Sequence, residues 1–133
     1  MSDTAHPPAT PYDRVGGAAG VRRLVARFYE LMDTLPAARA ARVIHAADLG
    51  PSEEKLFMYF SGWLGGPPLY VERYGHPMLR RRHLHAAIGG AEIAAWLLCF
   101  RQAWAETVDD DALGAVLLPQ IETLAQHMRT REE

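Results

Sequence analysis

The feature that most constrains this chain is an apolar stripe at Val21, Leu24, Val25, Phe28, Leu31, Met32 and Leu35. Steps of three and four residues put all seven on one side of a helix, whereas a half-buried strand needs strict alternation. Gly16-Gly17 supplies a turn before this helix, and Pro36 ends it or begins a short, tight continuation. Tyr29 falls four residues after Val25 and three before Met32, so it is expected to point along the same stripe.

The same period recurs downstream. Leu56, Phe57, Phe60, Trp63 and Leu64 form a second helical pattern, with Ser52 read as its cap and Glu53 and Glu54 suited to its positive end. Gly65-Gly66-Pro67-Pro68 is its stop, and a long loop is expected from Gly66 to Gly75. A short third helix is predicted to start at Pro77 and to end before Gly89-Gly90. A fourth runs through Ile93, Trp96, Leu97, Phe100 and Trp104. The last takes in Leu113, Leu117, Ile121, Leu124 and Met128 after an Asp109-Asp110-Asp111 start, with Pro119 expected to kink it or reset its beginning. The predicted fold class is therefore all-α, built of amphipathic helices joined by glycine-rich corners. A length of 133 residues suits one domain. Residues 1–11, with Pro7, Pro8 and Pro11, read as a loose arm before a domain spanning 12–133.

Composition narrows the function classes. An apolar fraction of 49% with 23% charged residues is that of a core-forming globular chain rather than a disordered one. A formal net charge of -2 lacks the basic excess of a general nucleic-acid binder. Cys99, the single cysteine, excludes an intrachain disulfide, and its place between Leu98 and Phe100 suits a buried, inert thiol. The opening MSDTAHPPATP has neither a basic nor an apolar signal region, and the longest apolar stretches are too short to span a membrane. A soluble cytoplasmic protein is the expectation.

For chemistry, a helix from Pro77 would carry Leu79, His83 and Ala86 on one face. A neutral imidazole on such a face can serve as an axial ligand to haem iron, its other ring nitrogen donating to a carbonyl one turn back. The plainer alternative is a hydrogen-bonded core histidine or a surface one. Arg80, Arg81 and Arg82 cannot share one side of a helix, but one of them could pair with a carboxylate at a pocket rim; a solvated basic helix end is the alternative. Tyr29, His45, Ser52 and Trp96 are polar groups in apolar surroundings, each alone more often a packed residue than a site. Together they could give one side of a cavity several donors. Zinc has little support, because His83 and His85 would diverge on a helix and no cysteine pair or HExxH spacing occurs. GxSxG and phosphate-binding glycine loops are also missing.

The order of short motifs is more specific than any one residue. Tyr12-Asp-Arg-Val-Gly-Gly17, Arg27-Phe-Tyr29, Arg42-Val-Ile-His45 with Asp48-Leu49, Gly65-Gly-Pro67, Gly75-His-Pro77, Leu79-Arg80, Arg82-His83 and Trp96-Leu97 follow one another from Tyr12 to Arg129. In that order and spacing the chain resembles the group II truncated haemoglobins. The resemblance implies a shortened globin, two helix pairs packed two-on-two around haem b. It makes His83 the proximal iron ligand, with Leu79 on the same cofactor-facing side. Tyr29 and Trp96 become the distal tyrosine and tryptophan, and His45 the residue beside them. Ser52 and Leu56 face the ligand, and Lys55 and Arg82 pair with the propionates. Three departures stand out: Ala86 where phenylalanine is usual and His85 where proline is frequent, both on the proximal side, and a longer arm before Tyr12.

The implied function is binding of O₂ and other diatomic ligands at a Tyr29/Trp96/His45 distal site, in redox, nitric oxide or peroxide chemistry. The iron is expected to be five-coordinate when ferrous and unliganded. Alternatives are a haem-dependent NO dioxygenase or peroxidase-like enzyme, for which an external reductase must supply electrons, and a haem-free helical interaction module. A monomer or homodimer is compatible with the sequence.

Overall fold

Thr10 caps the first helix reciprocally: its hydroxyl accepts from the Asp13 amide at 3.1 Å, and the Asp13 carboxylate accepts from the Thr10 amide at 3.2 Å. A computed structural model describes residues 9–131; residues 1–8 of the expected arm, and the Arg80 side chain, lie outside that description. The helices are α1 (Pro11–Arg14), α2 (Gly17–Thr34), α3 (Arg39–Arg42), α4 (Gly50–Trp63), α5 (Leu69–Tyr74), α6 (Leu79–Arg82), α7 (Gly90–Thr107) and α8 (Asp111–His127). A 3₁₀ turn at Pro36–Ala38 continues α2 beyond its end, the tight continuation that Pro36 predicts. No strand occurs among the described residues, so the all-α class holds.

The α2 stripe is buried as its spacing requires: Val21, Leu24, Val25, Phe28, Leu31 and Met32 each expose 2% or less. This face packs against both α4 and α7, and α7 packs in turn against α8. The result is the two-on-two sandwich, α2 with α4 and α7 with α8. Aromatic rings form its centre. Trp96, Phe100 and Trp104 lie one turn apart on α7, and their rings stack at 5.5 and 6.3 Å. Phe28 meets Trp96 and Phe100 edge-on at 5.0 and 5.9 Å, and Phe60 of α4 meets Phe100 at 5.4 Å. This cluster sets where Trp96 sits.

Three glycines are explained by close approach and backbone hand. Gly16 and Gly17 have φ of +111° and +67°, which turns α1 into α2 in a region L side chains avoid. Gly66 lies against the ring of Tyr12, where a Cβ has no room, and the Tyr12 amide donates to the Leu64 carbonyl at 2.8 Å. The α4 stop is thereby also the seat of α1.

Several boundaries differ from expectation. Ser52 is not the cap of α4: the helix begins at Gly50 with Leu49 before it, and Ser52 is its third residue. Pro51 presets helical φ early, and the Asp48 carboxylate takes the Gly50 amide at 2.9 Å, while Glu53 lies in the first turn as expected. The expected Gly66–Gly75 loop contains α5, because Pro67-Pro68 both stops α4 and starts a helix whose buried Tyr70 packs on α4. The third helix is only one turn long, α6, with His83 in the turn that follows. Met78, at φ +44°, bars an earlier start. Pro119 does not reset the start of α8; the helix runs through it, with Ala115 and Pro119 both exposed so that water can satisfy the freed carbonyl. Asp110, from the acidic start, caps α8 by accepting from the Leu113 amide at 3.0 Å and also forks with Arg14.

Candidate functional site

A cavity of about 540 Å³ opens between the helix pairs, within the roughly 300–1,000 Å³ of ligand and cofactor pockets. All nine residues to which the resemblance gives a site role reach its wall. Tyr29 comes from α2, His45 from the bend after α3, Ser52, Lys55 and Leu56 from α4, Leu79 and Arg82 from α6, His83 from the next turn, and Trp96 from α7. The rest is largely apolar: Ile44, Phe60, Ile88, Ile93, Leu124 and Met128 among others. Sequence reasoning missed these. The signal for some was present, since Phe60 follows Leu56 by one turn and Leu124 and Met128 continue the α8 stripe.

His83 and His45 are held alike. The ring Nδ1 of His83 lies 2.7 Å from the Leu79 carbonyl, and that of His45 lies 2.7 Å from the Ala41 carbonyl. A carbonyl only accepts, so in each ring Nδ1 carries the proton, and neutral imidazole leaves a lone pair on Nε2. Burial is the main influence on both and pushes their pKa below the ordinary value; the backbone bond opposes it and nearby cations or histidines add to it. Both rings are therefore neutral near pH 7.

Tyr29 is a donor with little to donate to. Its hydroxyl reaches the Ser52 carbonyl only at 3.5 Å, the outer limit of a hydrogen bond. Burial first, and the Glu53 charge second, raise its pKa well above the ordinary value, so the phenol stays protonated. Its ring is fixed edge-on by Phe28 at 4.8 Å and by His45 at 6.0 Å. Trp96 is locked by its stack on Phe100.

The cations gather at the mouth near α5. The Arg82 guanidinium donates from Nε to the Pro77 carbonyl at 2.7 Å and lies 5.8 Å from the Tyr70 ring. The Lys55 ammonium lies 5.6 Å from the Tyr74 ring. Arg81 is exposed, and His85, also exposed, reaches the cavity edge. Among the described residues no three His, Cys, Asp or Glu side chains converge to hold a bare ion. Cys99 lies outside this wall, fully buried, and burial pushes its thiol up to about 11. No described helix is long and apolar enough to cross a membrane.

The donor set suits a flat, amphiphilic prosthetic group: an apolar slot, one neutral imidazole with a fixed tautomer, polar donors at another part of the wall, and cations at the mouth. Comparison with known proteins agrees. The profile of the bacterial-like globin family matches residues 10–130. The chain is 34% identical over 123 residues to the group 2 truncated hemoglobin YjbI of Bacillus subtilis (strain 168), covering 92% of this chain and 90% of that one. The group II 2-on-2 hemoglobin of Agrobacterium tumefaciens superposes with a TM-score of 0.93 at 53% identity, covering 97% and 99% of the two chains. A truncated oxygen-avid haemoglobin from Bacillus subtilis superposes with a TM-score of 0.81 at 34% identity, covering 91% and 99%. The chain belongs to the bacterial-like globins, within them to the group II truncated haemoglobins, a family of haem proteins that bind O₂ and other diatomic ligands.

Proposed function

We propose that this chain holds haem b through His83 and binds O₂ and other small diatomic ligands beside Tyr29, Trp96 and His45, in the service of redox, nitric oxide or peroxide chemistry. The observation that carries the reading is the single cavity in which a tautomer-fixed, neutral His83 shares the wall with a protonated, under-used phenol and two further nitrogen heterocycles.

When bound, haem supplies the iron at which diatomic ligands are held and reduced or oxidised. The chain's own residues do the rest. The Leu79 carbonyl, by accepting from Nδ1, leaves His83 Nε2 free as the axial donor and limits rotation of its ring. Arg82, braced by its bond to Pro77, and Lys55 would pair with the propionates. Tyr29, Trp96 and His45 offer hydrogen bonds to a ligand that gains negative charge, while Ser52 and Leu56 bound the space it occupies. Several donors in a closed site slow release of O₂, which favours chemistry over carriage; the similar Bacillus subtilis protein described as oxygen-avid supports this direction.

Turnover calls on an external reductase. Purified protein titrated with haemin is expected to take up one equivalent with a sharp Soret band, and then to consume NO steadily when O₂ and a reductase system are supplied. Uptake without NO consumption leaves ligand binding and removes the dioxygenase reading; no uptake removes both.

A further inference from the structure

We infer that Thr130 is the positioning residue for the proximal imidazole, acting from a strap that ties the chain after α8 to the loop after His83; this rests on His83 as the axial ligand. His83 lies beyond the last residue of α6, so helical bonds do not fix the segment that follows it. A relay of hydrogen bonds does. The Ala86 amide donates to the His83 carbonyl at 3.0 Å. The Thr130 hydroxyl donates to the Ala86 carbonyl at 2.6 Å and accepts from the Ile88 amide at 2.8 Å. The Thr130 and Arg131 amides both donate to the Ile88 carbonyl, at 2.9 and 3.2 Å.

One hydroxyl thus serves as donor and acceptor to a segment 42 to 44 residues away in sequence. Arg131 anchors the strap from the other side: its guanidinium lies 2.9 Å from the Glu92 carboxylate, which itself accepts from the Gly89 amide at 2.8 Å. Ala86 has no bulk with which to wedge the loop, so its place depends on these polar bonds. Ile88 and Met128, next to the strap, both line the cavity. A shift of the Ala86–Ile88 loop is therefore passed to the His83 backbone, and through the Leu79 carbonyl bond the ring must tilt or lose its acceptor.

The test uses the haem-loaded protein and reads the axial bond itself. In Thr130→Val, which keeps the shape and removes the hydroxyl, the iron–histidine stretching band of the ferrous form is expected to shift and broaden. Haem loss to an excess of apomyoglobin should quicken about 10-fold, the low end for outer-shell partners of a ligating histidine. Thr130→Ser, which keeps both bonds, should match wild type, and Arg131→Gln, an exposed change, should give a smaller shift the same way. An unmoved band and unmoved loss rate in Thr130→Val, with only a lower melting temperature, would make the strap a stability contact and overturn the inference. His83→Gly separates the two claims: if it keeps the wild-type band, the ligand assignment fails; if it loses the band while Thr130→Val is unaltered, only the strap's role fails.

Discussion

Removing the Tyr29 hydroxyl should change ligand release far more than stability, and both sizes follow from its surroundings. In Tyr29→Phe the ring keeps its edge-on contact with Phe28 at 4.8 Å, and the volume is nearly conserved. The only hydrogen bond lost within the protein is the 3.5 Å contact to the Ser52 carbonyl. At that length it is worth well under about 1 kcal/mol, so the melting temperature should move by less than about 4 °C. A bound ligand that takes on negative charge loses a bond of the stronger, charge-assisted kind, about 1.5–3 kcal/mol. At 1.36 kcal/mol per decade, O₂ should leave about 10- to 150-fold faster. Stopped-flow displacement of O₂ by CO measures the rate, and thermal denaturation of the same samples measures the rest. An unchanged O₂ off-rate, or a large fall in stability with a small change in rate, refutes the reasoning and returns Tyr29 to a packing role.

Three further outcomes follow from the same geometry. Phe28→Ala opens a hole among Tyr29, Trp96 and Phe100 and should cost about 3–5 kcal/mol in urea denaturation. Gly66→Ala drives a methyl into the Tyr12 ring and should cost about 1–3 kcal/mol, largely relieved when Tyr12 is changed to alanine in the same chain. Burial holds the pKa of His45 and His83 below the ordinary 6.5, so the unfolded chain takes up protons first as pH falls. The stability they contribute is complete above about pH 6.5 and is lost on acidification below it, which denaturation of the wild type and of His45→Phe at about pH 7.5 and 5.5 should resolve.

What the sequence made legible depended on how local the cause was. The α2 stripe, the aromatic face of α7 and the Gly16-Gly17 turn are written in spacing and in backbone preference, and all three stand where expected. The ordered motifs singled out Tyr29, His45, Ser52, Lys55, Leu56, Leu79, Arg82, His83 and Trp96, and all of them reach one cavity. Misreadings arose where one residue serves two ends. Pro67-Pro68 is a stop for α4 and a start for α5, and a six-residue helix shows too few turns to reveal a period. Ser52 has the chemistry of a cap, but Pro51 and Asp48 had already set the helix start. The third helix was overextended because nothing in His83–Gly89 shows that Thr130, more than forty residues on, claims the Ala86 carbonyl and the Ile88 amide. Contacts of that separation have no local signature.

The most direct test of the haem assignment is haemin titration of wild type, His83→Ala and His85→Ala, followed by the Soret and visible spectra of the ferric and ferrous forms. His83→Ala should lose native axial ligation, and His85→Ala should keep it, because His85 is exposed at the cavity edge whereas the His83 ring is oriented from Leu79. Native ligation retained in His83→Ala, above all if His85→Ala abolishes it, would contradict the assignment and move the proximal ligand two residues along the turn.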